Sequence, residues 1–275
     1  MRVLVTGAGG MLGRDVVEVA RRAGHDTVGL TRAELDVSEP DAVRNAVAGA
    51  APEVIVNCAA WTDVDGAEDA EQAALAVNRG GAAHLARSGP ALIHVSTDYV
   101  FDGQAKRPYV ESDPTAPSSA YGRTKLAGEV EVLRAGHGVV RTAWLFGAGG
   151  RNFAATMLQL ASRRDSVQVV SDQIGCPTYT GHLAPALVTL AERRSTGLHH
   201  LAGSGQCSWM EFAREIFAQA GIACEVLPAS SEQMARPAPR PPWSVLASER
   251  DDALVLPSWQ HGLAEYLRET APVRA

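Results

Sequence analysis

The sequence predicts an α/β fold: a doubly wound parallel (Rossmann) sheet with a smaller C-terminal substrate-binding cap. Three observations lead there. Short apolar runs alternate with helical patterns along the first half of the chain, as in sheets covered on both faces. The first apolar run ends in Gly7-Ala-Gly-Gly-Met-Leu-Gly13, a spacing suited to a strand–helix junction that takes a diphosphate on the helix N-terminus. After Gly147 the rhythm loosens, so residues 1–146 read as the dinucleotide-binding unit. Residues 147–275 then read mainly as the substrate-binding unit, with part of them returning to the sheet.

Taken in order, Arg2–Thr6 is the first strand, and Val16, Val17 and Ala20 mark the first helix. Thr27–Leu30 is the second strand. Pro40–Ala48 follows as a helix, with Ser38 as its expected N-cap. Val54–Asn57 reads as a buried strand and 67–88 as one helix. Ala91–Ser96 is a strand, Tyr121–Leu133 a helix and Gly138–Ala143 a strand. Further on, 152–163 and 181–193 look helical and 167–170 extended. Ser208 and Glu211 fit a capping box, and the proline-rich 236–242 reads as an extended loop.

Composition narrows the function. The chain has 275 residues, a net charge of −6, 46% hydrophobic and 20% charged residues. That balance argues against a nucleic-acid binder, which needs a basic face. No apolar run reaches the roughly 20 residues of a membrane span. Four scattered cysteines without a CxxC pair fit a reducing cytoplasm and make a zinc site or disulfide framework unexpected.

Gly7, Gly10 and Gly13, with Met11 and Leu12 between them, are the expected diphosphate loop. Arg32 stands at the end of the second strand, where an acidic residue would hold an adenosine ribose and an arginine can take a 2′-phosphate. It points to NADPH, with NADH retained as an alternative, and a solvated surface arginine is an equal reading. Asp36 and Val37 are placed to line the adenine, and Ala59, Ala60 and Trp61 to flank the cofactor's path.

The chain holds two lysines against 23 arginines, and one of them, Lys125, stands four residues after Tyr121. On a helix the two share a face. A phenol and an ammonium there, with a hydroxyl from Thr97 or Ser96 at a strand end, suit carbonyl reduction. Tyr121 would donate the proton, Lys125 would lower the tyrosine pKa and bond the nicotinamide ribose, and the hydroxyl would orient the carbonyl oxygen. For Tyr99, core packing and substrate contact are equal readings.

These residues carry a resemblance. Gly7-x-x-Gly10-x-x-Gly13, Ser96-Thr-Asp-Tyr-Val-Phe-Asp-Gly103 and Tyr121-Gly-x-Thr-Lys125 resemble the extended short-chain dehydrogenase/reductases. More narrowly, with Arg141-Thr-Ala-Trp144, Asn152-Phe-Ala154, Asp172-Gln-x-Gly-x-Pro-Thr178 and Leu256-Pro-x-Trp-Gln260, the chain resembles the dTDP-4-dehydrorhamnose reductases along nearly its whole length. The resemblance implies reduction of the 4-keto group of a dTDP-linked 6-deoxy-L-sugar, giving dTDP-L-rhamnose. It implies Thr97, Tyr121 and Lys125 as the catalytic trio, and Asp98 and Trp144 as substrate contacts, a core role for Trp144 being the alternative. Arg240 and Arg151 are candidates for the diphosphate, and a solvated role for Arg151 is equally open. The chain departs from the family pattern at Trp243, where relatives carry asparagine. It also has Asp15 and Gly181 where some relatives place metal-binding glutamates. No metal is therefore expected, and a homodimer is left open. Other readings are a related deoxysugar 4-ketoreductase, an epimerase or dehydratase of the same superfamily, and a non-catalytic regulatory subunit of the same fold.

Overall fold

The computed structural model describes residues 1–270, so the last five residues of the expected 147–275 unit lie outside the described residues. Six strands form one parallel sheet: β1 (Arg2–Thr6), β2 (Asp26–Leu30), β3 (Val54–Asn57), β4 (Ala91–Thr97), β5 (Gly138–Thr142) and β6 (Gly197–His200). Their spatial order is β6-β5-β4-β3-β1-β2. The strand order reverses at β1, and this switch opens a crevice at the strands' C-terminal ends, where ligands of such sheets bind.

Strand periodicity assigns the two faces. Val3, Val5, Val54, Val56, Ile93 and Val140 point one way, while Leu4, Ile55, Leu92 and Val139 point the other. Helix α1 (Met11–Arg22) covers the first face through Leu12, Val16 and Ala20. It does so beside a helix from the second half of the chain, Thr180–Glu192, which brings Leu183 and Leu187. On the second face, helix α2 (Pro40–Ala50) packs Val43 and Val47 with Leu85 and with Val132 of helix α3 (Ala120–Arg134).

Two sequence expectations are corrected here. Glu39, not Ser38, stands at the N-cap position of α2, without a side-chain bond to the helix, and Pro40 opens the first turn; the Ser38 hydroxyl instead donates to Asp36 at 2.6 Å. The single helix expected over 67–88 is broken into Gly66–Asp69, Glu71–Leu75, a π-turn at Ala76–Gly81 and Ala82–Ala86. The wide turn carries Asn78, whose carboxamide accepts from the Trp61 backbone N–H at 2.9 Å and donates to the Thr124 hydroxyl at 3.0 Å. Tertiary hydrogen bonds thus outweigh the uniform helical pattern of an alanine-rich stretch.

The second half builds its own aromatic core. Phe146, Tyr179, Phe212, Phe217, Trp259 and Tyr266 pack between helices Phe153–Ala161, Trp209–Ala220 and Trp259–Thr270 and the parallel pair Ser166–Val170 with Glu225–Ala229. The capping box at Ser208 is formed, with both reciprocal bonds to Glu211. The segment 236–242 runs without helix or strand, back toward the end of β4.

Candidate active site

The crevice holds a groove of about 480 Å³ between the ends of β1, β2 and β3, within the range of small-molecule sites. Gly7, Gly10, Arg32, Asp36, Val37, Ala59, Ala60 and Trp61 all line it. Gly7 sits at φ +70, and a Cβ there would come within 2.7 Å of the Ala59 backbone nitrogen, so only glycine leaves the groove open. Asp36 takes two hydrogen bonds from Ser38, which hold its carboxyl below the usual range.

Three expected contacts lie elsewhere. Leu12 is buried in the sheet core, and Gly13 serves close packing of α1 against the Gly7 carbonyl. The Met11 side chain turns to Asn152, whose amide reaches its sulfur at 3.8 Å. For these residues only the backbone N–H groups at the start of α1 remain available to an anion. Leu35, Thr31, Thr62 and Val77 also line the groove and were not foreseen. Their one sequence signal is position, just past a strand end or on the helical segment that follows β3.

The reacting end is built where β4 meets α3. Ser119 caps α3 by accepting from Gly122 N–H at 3.1 Å. Gly122 carries no side chain against the Tyr99 carbonyl, where a Cβ would collide, so Tyr121 is pressed to the end of β4. The Thr97 hydroxyl donates to Asp98 Oδ1 at 3.1 Å and accepts from Tyr99 N–H at 3.2 Å. The Tyr99 and Tyr121 rings meet edge to face, 5.6 Å apart at 77°.

Burial pushes the Tyr121 phenol up to about 12, opposed by the neighbouring Thr97 hydroxyl and assisted by Asp98. Burial also raises Asp98 to about 6, with Ser244 and Thr97 opposing it. Lys125 is 2% exposed; burial pushes it down to about 8, against the pull of Glu129. Its side-chain nitrogen donates to the Val95 carbonyl, 2.6 Å away. Burial is the main cause of both shifts, and the Lys125 charge is not among the causes that move Tyr121. Ser96 leaves the site, because its hydroxyl donates to buried Glu129 at 2.5 Å, so Thr97 alone offers its hydroxyl there.

Trp144 adopts φ +46, a left-handed conformation unusual for a bulky residue. Its ring stacks on Trp209 at 3.5 Å, and Gly175 leaves room for it. Arg240, a candidate for the diphosphate, makes a two-pronged ion pair with Asp65 (2.6 and 2.8 Å) beside Tyr99, and Arg236 approaches the same carboxylate at 3.9 Å. Arg151 is exposed.

A glycine-floored dinucleotide groove leading toward a strand-end threonine, a half-buried tyrosine and a buried lysine defines a nicotinamide-dependent carbonyl oxidoreductase. The family model described as RmlD substrate binding domain matches residues 1–271. The chain is 45% identical to dTDP-4-dehydrorhamnose reductase of Streptomyces griseus, over 98% of this chain and 93% of that protein. It is 44% identical to dTDP-4-keto-6-deoxy-D-glucose reductase of Streptomyces niveus, over 90% and 89%. Among solved structures, dTDP-4-dehydrorhamnose reductase of Bacillus anthracis in complex with NADP superposes with a TM-score of 0.94 at 37% identity, over 98% of this chain and 99% of that one. The chain belongs to the dTDP-4-dehydrorhamnose reductase family. Among the described residues, no helix is long and apolar enough to cross a membrane.

Proposed function

We propose that the protein reduces the 4-keto group of dTDP-4-dehydrorhamnose to give dTDP-L-rhamnose, using NADPH. The observation that carries this reading is the convergence of Thr97, Tyr121 and Lys125 at the end of β4, within a chain that aligns with such reductases over nearly its whole length. The groove fits the cofactor: Gly7 and Gly10 allow close approach of a diphosphate, and Arg32 lies on the wall where a 2′-phosphate would fall. NADPH, when bound, supplies the hydride that adds to the carbonyl carbon. The chain's own residues handle the oxygen. With substrate bound, the Thr97 hydroxyl would turn its single proton from Asp98 Oδ1 to that oxygen and fix its direction. Tyr121, kept a neutral phenol by burial, delivers a proton from its Oη as negative charge develops. Asp98, Tyr99 and Trp144 are proposed to shape the sugar pocket. Arg240 is proposed to hold the segment 236–242 closed through Asp65.

In this reading residues 1–146 hold the cofactor and the remainder mainly holds the sugar, with 180–200 serving the sheet. A cytoplasmic site of action fits four free cysteines. The test is NADPH consumption with dTDP-4-dehydro-L-rhamnose. Turnover only with dTDP-4-keto-6-deoxy-D-glucose would favour the second reading, a related deoxysugar ketoreductase, which the Streptomyces niveus relative and Trp243 support. Consumption of NADPH with neither sugar would sink both.

Arg32→Ala is expected to weaken NADPH roughly tenfold, the loss of one charge-assisted pair, while NADH is unchanged. Equal loss for both cofactors in a fluorescence titration would remove Arg32 from 2′-phosphate recognition.

A further inference from the structure

A buried chain of hydrogen bonds runs beneath the site, from the backbone of the groove to Lys125. The Ala59 N–H lies 3.0 Å from one atom of the Asn57 carboxamide, and the Thr6 hydroxyl lies 2.6 Å from the same atom. A backbone N–H can only donate, so that atom is Oδ1 and the other is the NH2 group. Asn57 Nδ2 lies 2.8 Å from His94 Nδ1, and therefore donates to it. Nδ1 is then an acceptor and carries no proton. His94 is 1% exposed, and burial, then the lysine charge, holds it neutral, so its one ring proton sits on Nε2. Nε2 faces Lys125 Nζ at 3.4 Å.

An N–H pointed at an ammonium offers it no acceptor, while the same N–H can donate to the lone pair of an amine. Lys125 keeps one outgoing bond, to the Val95 carbonyl at 2.6 Å. The amine can donate there and accept from His94, whereas the ammonium meets a donor. We infer that Asn57 and His94 are positioning residues that lock the imidazole tautomer and thereby bias Lys125 toward its neutral amine. The remaining ionisable groups around Lys125 are Glu129 on its own helix, whose carboxylate favours the ammonium, and Cys58 past β3. Burial keeps the Cys58 thiol protonated, up at about 12, so it supplies no charge at neutral pH. Tyr121, one turn away, likewise stays a neutral phenol. The burial of Lys125 and the His94 tautomer thus act together against Glu129.

As a contribution to catalysis this assignment rests on the reductase reading. As a statement about protonation it does not, and the test separates the two. The chain contains only two lysines, so carbon-13 labelling of lysine Cε gives two resonances, with exposed Lys106 as the internal reference. In the wild type the Lys125 signal is expected to titrate at about 8, well below the ordinary lysine range. Asn57→Asp places an oxygen opposite His94 Nδ1, moves the imidazole proton to that side and leaves Nε2 as an acceptor for the ammonium. The Lys125 titration should rise by about one unit or more. His94→Gln adds no charge and lets an amide oxygen turn to the lysine, so it should raise the titration in the same direction. Co-titration of the two lysines in the wild type overturns the inference. So does a low Lys125 titration that neither variant moves, since burial alone would then explain it. In the active enzyme the alkaline limb of kcat should shift with the Lys125 signal while the KM for NADPH stays in place. A uniform loss of kcat at every pH would mean a merely structural role for His94.

Discussion

Tyr121→Phe is expected to lower kcat by about 10²–10⁴-fold, the usual contribution of a positioned proton donor, while NADPH binds as in the wild type. The substitution removes one oxygen and keeps the ring, so the edge-to-face contact with Tyr99 and the packing at the start of α3 persist. What is lost is the neutral phenol beside the Thr97 hydroxyl. Asp98 does not replace it: its Oδ1 already accepts from Thr97, and near neutral pH a group with its pKa at about 6 is mostly the carboxylate. Because the phenol is held up by burial, the wild-type rate should not fall on the alkaline side through loss of the Tyr121 proton until far above neutral pH. Stopped-flow measurement of the reduction step, with NADPH binding followed by fluorescence, separates chemistry from binding. A rate within about threefold of wild type, outside the range that losing such a donor produces, would remove Tyr121 from the proton transfer.

The sheet was legible because its strands are buried on both faces and alternate between them. Val3, Leu4 and Val5 serve opposite layers, and the same holds for Val54, Ile55 and Val56. The glycines around Gly7 and the Tyr121–Lys125 pair were legible because each demands a particular residue type at a fixed spacing. What local pattern could not carry was long-range. β6 returns to the sheet from the second half of the chain, and it reads weakly alone because Gly-Leu-His-His has little apolar character. The break near Asn78 depends on Trp61 and Thr124, 17 and 46 residues away. The direction of the Lys125 side chain depends on His94 and the Val95 carbonyl, and the ion pair of Arg240 depends on Asp65, 175 residues away. Chemistry-bearing residue types were visible in one dimension; their protonation states and partners were not.

Arg141→Met is expected to destabilise the fold by about 3–5 kcal/mol, the cost of leaving one member of a buried ion pair behind. Arg141 is 4% exposed and Glu129 1% exposed. The guanidinium grips the carboxylate through Nε at 3.0 Å and Nη2 at 2.7 Å and lies over the Phe101 ring, 5.0 Å from its centre. Methionine fills much of the volume but leaves Glu129 with the Ser96 hydroxyl as its remaining donor. For a chain of this size the melting temperature should fall by roughly 10 °C. The double variant Arg141→Met/Glu129→Leu removes both charges and should recover most of that loss, since apolar replacements of buried pairs are often neutral or better. A single variant as stable as the wild type would mean that Glu129 finds another partner or takes up a proton. The pair also bears on the site, because Glu129 lies one turn beyond Lys125 on α3 and its charge favours the ammonium. The double variant should therefore regain stability and yet titrate Lys125 at lower pH than the wild type. That outcome would assign the ion pair two separable roles: one in fastening α3 to β5, the other in opposing the burial that drives Lys125 toward its amine.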